Sequence, residues 1–221
     1  MNSLKHKNAA LFYDEDAPYS TALADTFRKT FKDKGGTLVF EGSCKTREDD
    51  FTNAIDKIIA KNPEFIYMPG NYQEAGLFIR QIRAKGFTGP IIGGDGYDAS
   101  QIVTIAGKSA LKNVYFTNHF ISSENDPKVR KFAQDFKTKY GEDPDSMAAL
   151  GYDTVYLLAD AIKRAGSDDP EKVAKALAST KDMPAITGVM SIDSQHNPVK
   201  SGVVIAFKED GTYSFVSRIN P

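Results

Sequence analysis

Four side chains of this sequence have the types that a small amine-bearing ligand needs: Tyr19, Asn71, Tyr72 and Asp95. They are far apart in the chain, yet each follows an apolar, strand-like run that stops at a polar, aromatic loop. The three stretches are LFYDEDAPYS (11–20), FIYMPGNYQEA (65–75) and PIIGGDGYDAS (90–100). A carboxylate such as Asp95 pairs with an ammonium group through a charge-assisted contact worth about 1.5–3 kcal/mol. Tyr19 and Tyr72 offer an apolar wall, a ring face that attracts cations and a hydroxyl handle. Gly93, Gly94 and Gly96 let the backbone around Asp95 come close and turn sharply. Each residue also has a structural reading. Asn71 stands where a helix N-cap belongs, Asp95 where a turn or cap precedes Ala99-Ser100, and Tyr19 where a ring packs at a helix start.

Other chemistries find less support. Asp14, Glu15 and Asp16 form an acidic cluster at a strand end. With Asp95, Asp14 and Asp16 could hold Mg²⁺ in the manner of a phosphatase or a phospho-receiver domain. Asp16-Ala17-Pro18 reads equally as a turn and cap, and no nucleophile motif follows. His6, His119 and His196 are scattered, without a serine or cysteine partner, so no hydrolase triad is indicated. The single cysteine, Cys44, can form neither an internal disulfide nor a zinc site. GGDGYDA is not a G-x-G-x-x-G fingerprint, so no dinucleotide and no other cofactor is implied. Glu48-Asp49-Asp50 fits the dipole-favoured first turn of a helix. A formal net charge of −1 lacks the basic excess of a nucleic-acid binder.

The elements that must position these residues alternate regularly from 8 to 120. Strand 9–14 precedes a helix over roughly 18–34, where Leu23, Phe27 and Phe31 recur every fourth residue. Strand 37–43 precedes a helix near 48–61, ended by Asn62-Pro63. Strand 65–70 precedes a helix over 72–85, and strand 90–95 precedes a short helix near 99–107 and strand 113–120. Strands alternating with helices predict parallel pairing through right-handed crossovers. The fold class is therefore α/β, a doubly wound parallel sheet, and all its strand-to-helix loops emerge at one edge. That edge is where open α/β sheets bind small molecules.

From 121 the rhythm changes. Three helices follow in succession, 127–140, 145–165 and 170–179, and then only short strands at 188–193, 203–208 and 212–217. Asp210-Gly211 marks a hairpin turn. The three helices have apolar faces, yet the chain offers them little sheet to cover. The prediction is a complete α/β lobe over 8–120, a helical part of a second, partial lobe over 121–187, and crossover and returning strands over 188–221.

The order FYDEDAPYS–ALADTF, FTNAIDKIIAKNPEFIYMPGNYQEAGLFIRQIRAKGF, IIGGDGYDAS and GYDTVYLLADAIKRAG resembles the leucine/isoleucine/valine-binding proteins of ABC transporters, of the type I periplasmic-binding-protein superfamily. The resemblance runs from about 8 to 218. It implies two α/β lobes joined by three crossovers, with an amino acid, branched-chain by analogy, held between them. Lobe closure about hinges near 118–121 and 185–190 would present the loaded protein to a membrane permease. It implies no enzyme activity, and a location in the periplasm or on the outer face of the cell membrane. The N-terminal MNSLKHKNAA has charge but no apolar core and does not read as a signal peptide. Carried over residue by residue, Tyr19 matches the aromatic after the first strand, and Tyr72, or adjacent Asn71, the aromatic after the third. Asp95 takes the acidic position, where the family often has the longer Glu.

The resemblance also implies roughly a hundred residues before the position of Asn8, which supply most of the first lobe's sheet and its grip on the ligand carboxylate. Leu150, Leu157, Leu158 and Ile162 are then expected to face water, a second copy or a complementary fragment. A sensor domain of the same fold is the reading separated from transport only by ligand identity.

Overall fold

The structure, a computed structural model, describes residues 6–221; residues 1–5 of the N-terminal stretch lie outside the described part. The chain divides into two compact units. Unit 1 comprises residues up to Thr117 together with Ile205–Ser214, and unit 2 comprises Asn118–Val204 with Phe215–Pro221.

Unit 1 is built on strands β1 (Asn8–Asp14), β2 (Thr37–Cys44), β3 (Phe65–Tyr67), β4 (Ile91–Gly93) and β5 (Val114–Asn118). They pair in parallel in the order β2-β1-β3-β4-β5. The sheet extends beyond β5 with β8 (Gly202–Phe207) and β9 (Tyr213–Ile219). The alternation along β1 shows why helices cover both faces. Ala9 packs with Phe31 and Phe65, with Phe27 and Tyr67 alongside, on the face under helix α1 (Pro18–Asp33). Phe12, an odd number of residues on, points the other way. It stacks on Phe78 of α3 (Tyr72–Ala84) at 5.0 Å and meets Phe51 edge-on at 5.8 Å. The apolar strands thus match a sheet buried on both sides, and the mixed α/β fold with a mostly parallel central sheet is as the sequence predicts.

Some boundaries differ for local reasons. Helix α2 (Thr52–Ala60) begins after Glu48–Asp50, so those acids are not its first turn. Asp50 accepts instead from Thr52 N, Glu48 accepts from Lys45 N, and Gln81 binds Asp49 O and Phe51 N. Side chain–backbone bonds hold this loop open in a non-helical path. The short helix predicted near 99–107 is α4 (Gln101–Ala106), preceded by a 3-10 turn over Asp95–Tyr97. His6 contacts Glu64 and lies 6.1 Å from the Phe65 ring.

Unit 2 contains α5 (Pro127–Tyr140), α6 (Ser146–Ala165) and α7 (Pro170–Ala178). Each starts on an aspartate, Asp126, Asp145 or Asp169, whose side chain accepts a first-turn N–H. Gly141 and Gly166 end α5 and α6 in the left-handed conformation. Phe120, Val129, Phe132 and Ala149 form one core cluster, and Ala161, Val173 and Ala176 another. The buried Asp153 carboxylate binds Ile186 N at 2.7 Å and Thr187 N at 2.9 Å, tying α6 to the loop before β6 (Met190–Ile192). Strand β6 pairs antiparallel with β7 (Pro198–Lys200), which the sequence pattern did not disclose. Arg218 holds Glu124 through two bonds of 2.8 and 2.5 Å and also donates to Ser201 Oγ and Thr187 O.

Helix α6 has two apolar sides and buries one. Met147, Val155, Leu158 and Ile162 are 60%, 66%, 45% and 38% exposed, far more than core residues allow. Of the four residues expected to face solvent, Leu158 and Ile162 do, while Leu150 and Leu157 are half-buried.

Candidate functional site

The C-terminal ends of β1, β3 and β4 bring their loops to one edge of unit 1, as parallel pairing requires. Tyr19, the second residue of α1, donates its hydroxyl to Asp95 Oδ1 at 2.6 Å. The same oxygen accepts from Gly96 N at 3.0 Å. The tyrosine hydroxyl is thus committed to orienting the Asp95 loop rather than standing free as a handle. Burial, and then the bond to Asp95, push the phenol far above its ordinary range. Tyr67, at the end of β3, is pushed up to about 12 by burial and by the charge of Asp95.

Close contact explains the glycines of this loop; none of the three has a positive φ. A Cβ on Gly94 would collide with the Tyr19 hydroxyl, and one on Gly93 with the Tyr97 ring. A Cβ on Gly96 would lie 2.5 Å from Gly70 O and 3.3 Å from Asn71 Oδ1. The Asp95 and Asn71 loops therefore touch backbone to backbone. Tyr97 is fully buried and donates to Met68 O at 2.9 Å, which locks the β4 loop onto β3.

Asn71 occupies the N-cap of α3, but its side chain makes no capping bond, so the amide remains exposed at the edge. Tyr72 opens α3 and is half-buried. Tyr19 and Asp95 are in direct contact, Asn71 adjoins their loop, and Tyr72 follows Asn71 on the same edge. Sequence reasoning missed Tyr67, Tyr97 and Ser20. Ser20 bonds Pro69 O and receives Asp14 N at 3.0 Å, pinning the first loop to the third. A small polar residue two places into a helix gives no signal of that role.

The acidic cluster is tied into local hydrogen bonds and ion pairs. Buried Asp14 accepts from Asp16 N at 3.0 Å and Thr46 Oγ1 at 2.7 Å. Glu15 and Asp16 pair with Lys45, while Asp95 belongs with Tyr19. No group of three or more His, Cys, Asp or Glu side chains placed to hold a metal occurs among the described residues. Cys44 is buried, and burial pushes its thiol up to about 12. No helix among the described residues is long and apolar enough to cross a membrane.

Comparison with known proteins shows the family. A family described as Periplasmic binding protein matches residues 1–212. The Leu/Ile/Val-binding protein homolog 1 of Brucella abortus is 31% identical over 218 residues, 97% of this chain and 57% of that protein. The leucine-, isoleucine-, valine-, threonine- and alanine-binding protein of Pseudomonas aeruginosa is 33% identical over 194 residues, 86% of this chain and 50% of that protein. Among solved structures, the leucine-binding protein LivK of Thermotoga maritima superposes with a TM-score of 0.89 at 36% identity, covering 99% of this chain and 62% of that one. LivJ of Streptococcus pneumoniae, a branched-chain amino acid transporter substrate-binding protein solved with isoleucine, gives 0.85 at 32% identity, with coverage of 99% and 62%. The chain thus spans a little over half the length of these relatives. With the family matched over nearly its whole length, the chain belongs to the periplasmic binding proteins.

Proposed function

We propose that unit 1 carries the ammonium-binding half of an amino-acid site, and that the chain serves as part of the solute-binding component of an ABC importer for branched-chain amino acids. The observation that carries this reading is the Tyr19–Asp95 bond at the C-terminal edge of the parallel strands. It anchors one carboxylate oxygen and keeps a negative charge in the loop at this edge, where Asn71 and Tyr72 also stand. An α-ammonium group meets there the acceptor it needs, and the aromatic surroundings favour a cation over an anion. Relatives named for binding leucine, isoleucine and valine support the ligand class.

The role is binding without covalent chemistry, outside the cytoplasmic membrane, with delivery to a membrane permease. A ligand held by this edge alone is bound weakly. In the same reading, the exposed side of α6 is covered by further protein, either a second copy or a complementary segment. Isothermal titration with leucine, valine and a polar amino acid, with Asp95→Ala as control, tests the site. The expected result is heat with the aliphatic amino acids that disappears in the variant. Equal binding by the variant would refute the assignment of Asp95.

A further inference from the structure

We propose that Asp95–Gly96 is a latent self-modification site: a peptide bond open to isoaspartate formation through a cyclic imide, which the Tyr19 hydroxyl holds closed. The inference concerns the chemistry of the chain itself and is independent of the ligand reading. The sequence has two Asp-Gly steps, Asp95-Gly96 and Asp210-Gly211. Such a step is open to cyclisation because glycine has no Cβ to shield its amide nitrogen or restrict its backbone. Gly96 N attacks Cγ of the neutral Asp95 carboxyl. The new C–N bond closes a five-membered imide, and the amide proton leaves with the carboxyl hydroxyl as water. A second water reopens the ring at either carbonyl. Breaking the Cγ–N bond restores aspartate. Breaking the bond from Gly96 N to the Asp95 main-chain carbon leaves isoaspartate, with the chain running through Cγ. Water is the only co-reactant.

The native loop keeps both reacting groups off this path. Tyr19 Oη donates to Asp95 Oδ1 at 2.6 Å and accepts from Gly96 N at 3.0 Å. One hydroxyl therefore engages both the attacking amide and the carboxylate under attack. The backbone adds a second restraint. Ring closure needs Asp95 Cβ and Gly96 N eclipsed about the Asp95 Cα–C bond, and the 3-10 turn over Asp95–Tyr97 holds them well apart. Tyr97 N donates to Gly94 O at 3.1 Å and Asp98 N to Asp95 O at 2.9 Å, which keeps that turn closed. Gly96 also lies against Gly70 O, which limits its rotation. Asp95 and Gly96 are only half-buried, so exclusion of water is not what protects the bond. At Asp210-Gly211 the two groups have separate partners. Exposed Asp210 accepts from Thr212 N and Thr212 Oγ1, while Gly211 N donates to Lys208 O. That step serves as an internal reference that Tyr19 does not touch.

Each passage through the imide leaves one solvent oxygen in the aspartyl residue, whichever bond reopens. Incubation in heavy-oxygen water at neutral pH, followed by peptide mass spectrometry, therefore counts passages at each aspartate. In the intact chain, Asp95 is expected to take up label about tenfold or more slowly than in a synthetic peptide of residues 91–100. Tyr19→Phe should raise the Asp95 rate about tenfold or more, with labelling at Asp210 unchanged. Gly94→Ala, whose Cβ displaces the same hydroxyl, should do likewise with the tyrosine still present. Ile58→Val, a change in the buried core under α2, should leave the Asp95 rate as it was, which separates the hydroxyl's effect from a general loss of stability. Labelling of the intact chain at the peptide's rate, no acceleration in the two loop variants, or an equal acceleration in Ile58→Val would each overturn the proposal.

Discussion

Gly94→Ala should disable the Asp95 loop, and the size of the effect follows from three residues. The Gly94 backbone is extended, with φ −104° and ψ −171°, so alanine meets no conformational penalty there. Its Cβ would collide with the Tyr19 hydroxyl and lie 3.0 Å from Leu23 Cδ1. The leucine can yield; the hydroxyl can yield only by leaving Asp95 and Gly96. The first bond is charge-assisted, about 1.5–3 kcal/mol, and the second neutral, about 0.5–1.5 kcal/mol. Water recovers part of this at a half-exposed position, leaving a loss of about 2 kcal/mol. For a chain of this length that is a fall of about 4–8 °C in Tm. Tyr19→Phe gives up the same two bonds and should cost a similar amount. In the double variant nothing remains to collide with, because the Tyr19 Cζ lies 3.5 Å from the new Cβ. Gly94→Ala should then add only a few tenths of a kcal/mol, a coupling of about 1.5 kcal/mol or more. Thermal or urea unfolding of the four proteins measures it. Costs that add within about 0.5 kcal/mol would show that the hydroxyl does not organise this loop.

Further outcomes follow from unit 1's buried phenols and unit 2's polar ties. Tyr19, Tyr67, Tyr97 and Tyr213 all have raised folded-state pKa values, with burial the first cause in each. Their contribution is complete below the unfolded value near 10 and is lost as pH rises, so stability should fall by about 2–4 kcal/mol between pH about 10 and about 11; a flat denaturation midpoint over that range would contradict it. Glu124→Gln leaves the Arg218 guanidinium without its counter-charge in a partly buried site and should cost about 2 kcal/mol, seen as faster amide exchange over 118–124 and 215–219. Lys200 Nζ is buried without a hydrogen-bond partner, and burial holds its pKa below the usual range. Lys200→Met should therefore be neutral or stabilising by up to about 1 kcal/mol in chemical denaturation, and a clear loss would count against that reading.

The sheet was legible because its apolar runs are interrupted at regular intervals by helical periodicity; in a parallel fold that pattern also brings the loops to one edge. The pairing of Tyr19 with Asp95 needed three dimensions, since 76 residues separate them. The tyrosine looked like a wall and acts as a brace. The glycines looked like turn residues, yet their requirement is the tyrosine and backbone atoms packed against them. Asn71 looked like a cap, but its amide caps nothing. In unit 2 the excess of apolar helix surface was visible in the sequence. Which residues bear it was not: Val155 and Met147 are more exposed than Leu158, and Leu150 and Leu157 are half-buried. Strand β7 escaped notice because HNPVKSG has too little apolar alternation to signal a strand.

In the function proposed above, the edge formed by Tyr19, Asn71, Tyr72 and Asp95 recognises an amino acid through its ammonium group. Titration of isotopically labelled protein with leucine, followed by amide resonances and compared with 4-methylpentanoate, which keeps the carboxylate and side chain but lacks the amine, tests it most directly. Leucine should shift the amides of Gly94, Asp95, Gly96 and Asn71 while 4-methylpentanoate leaves them in place. Equal shifts with both compounds, or shifts confined to other parts of unit 1, would contradict it.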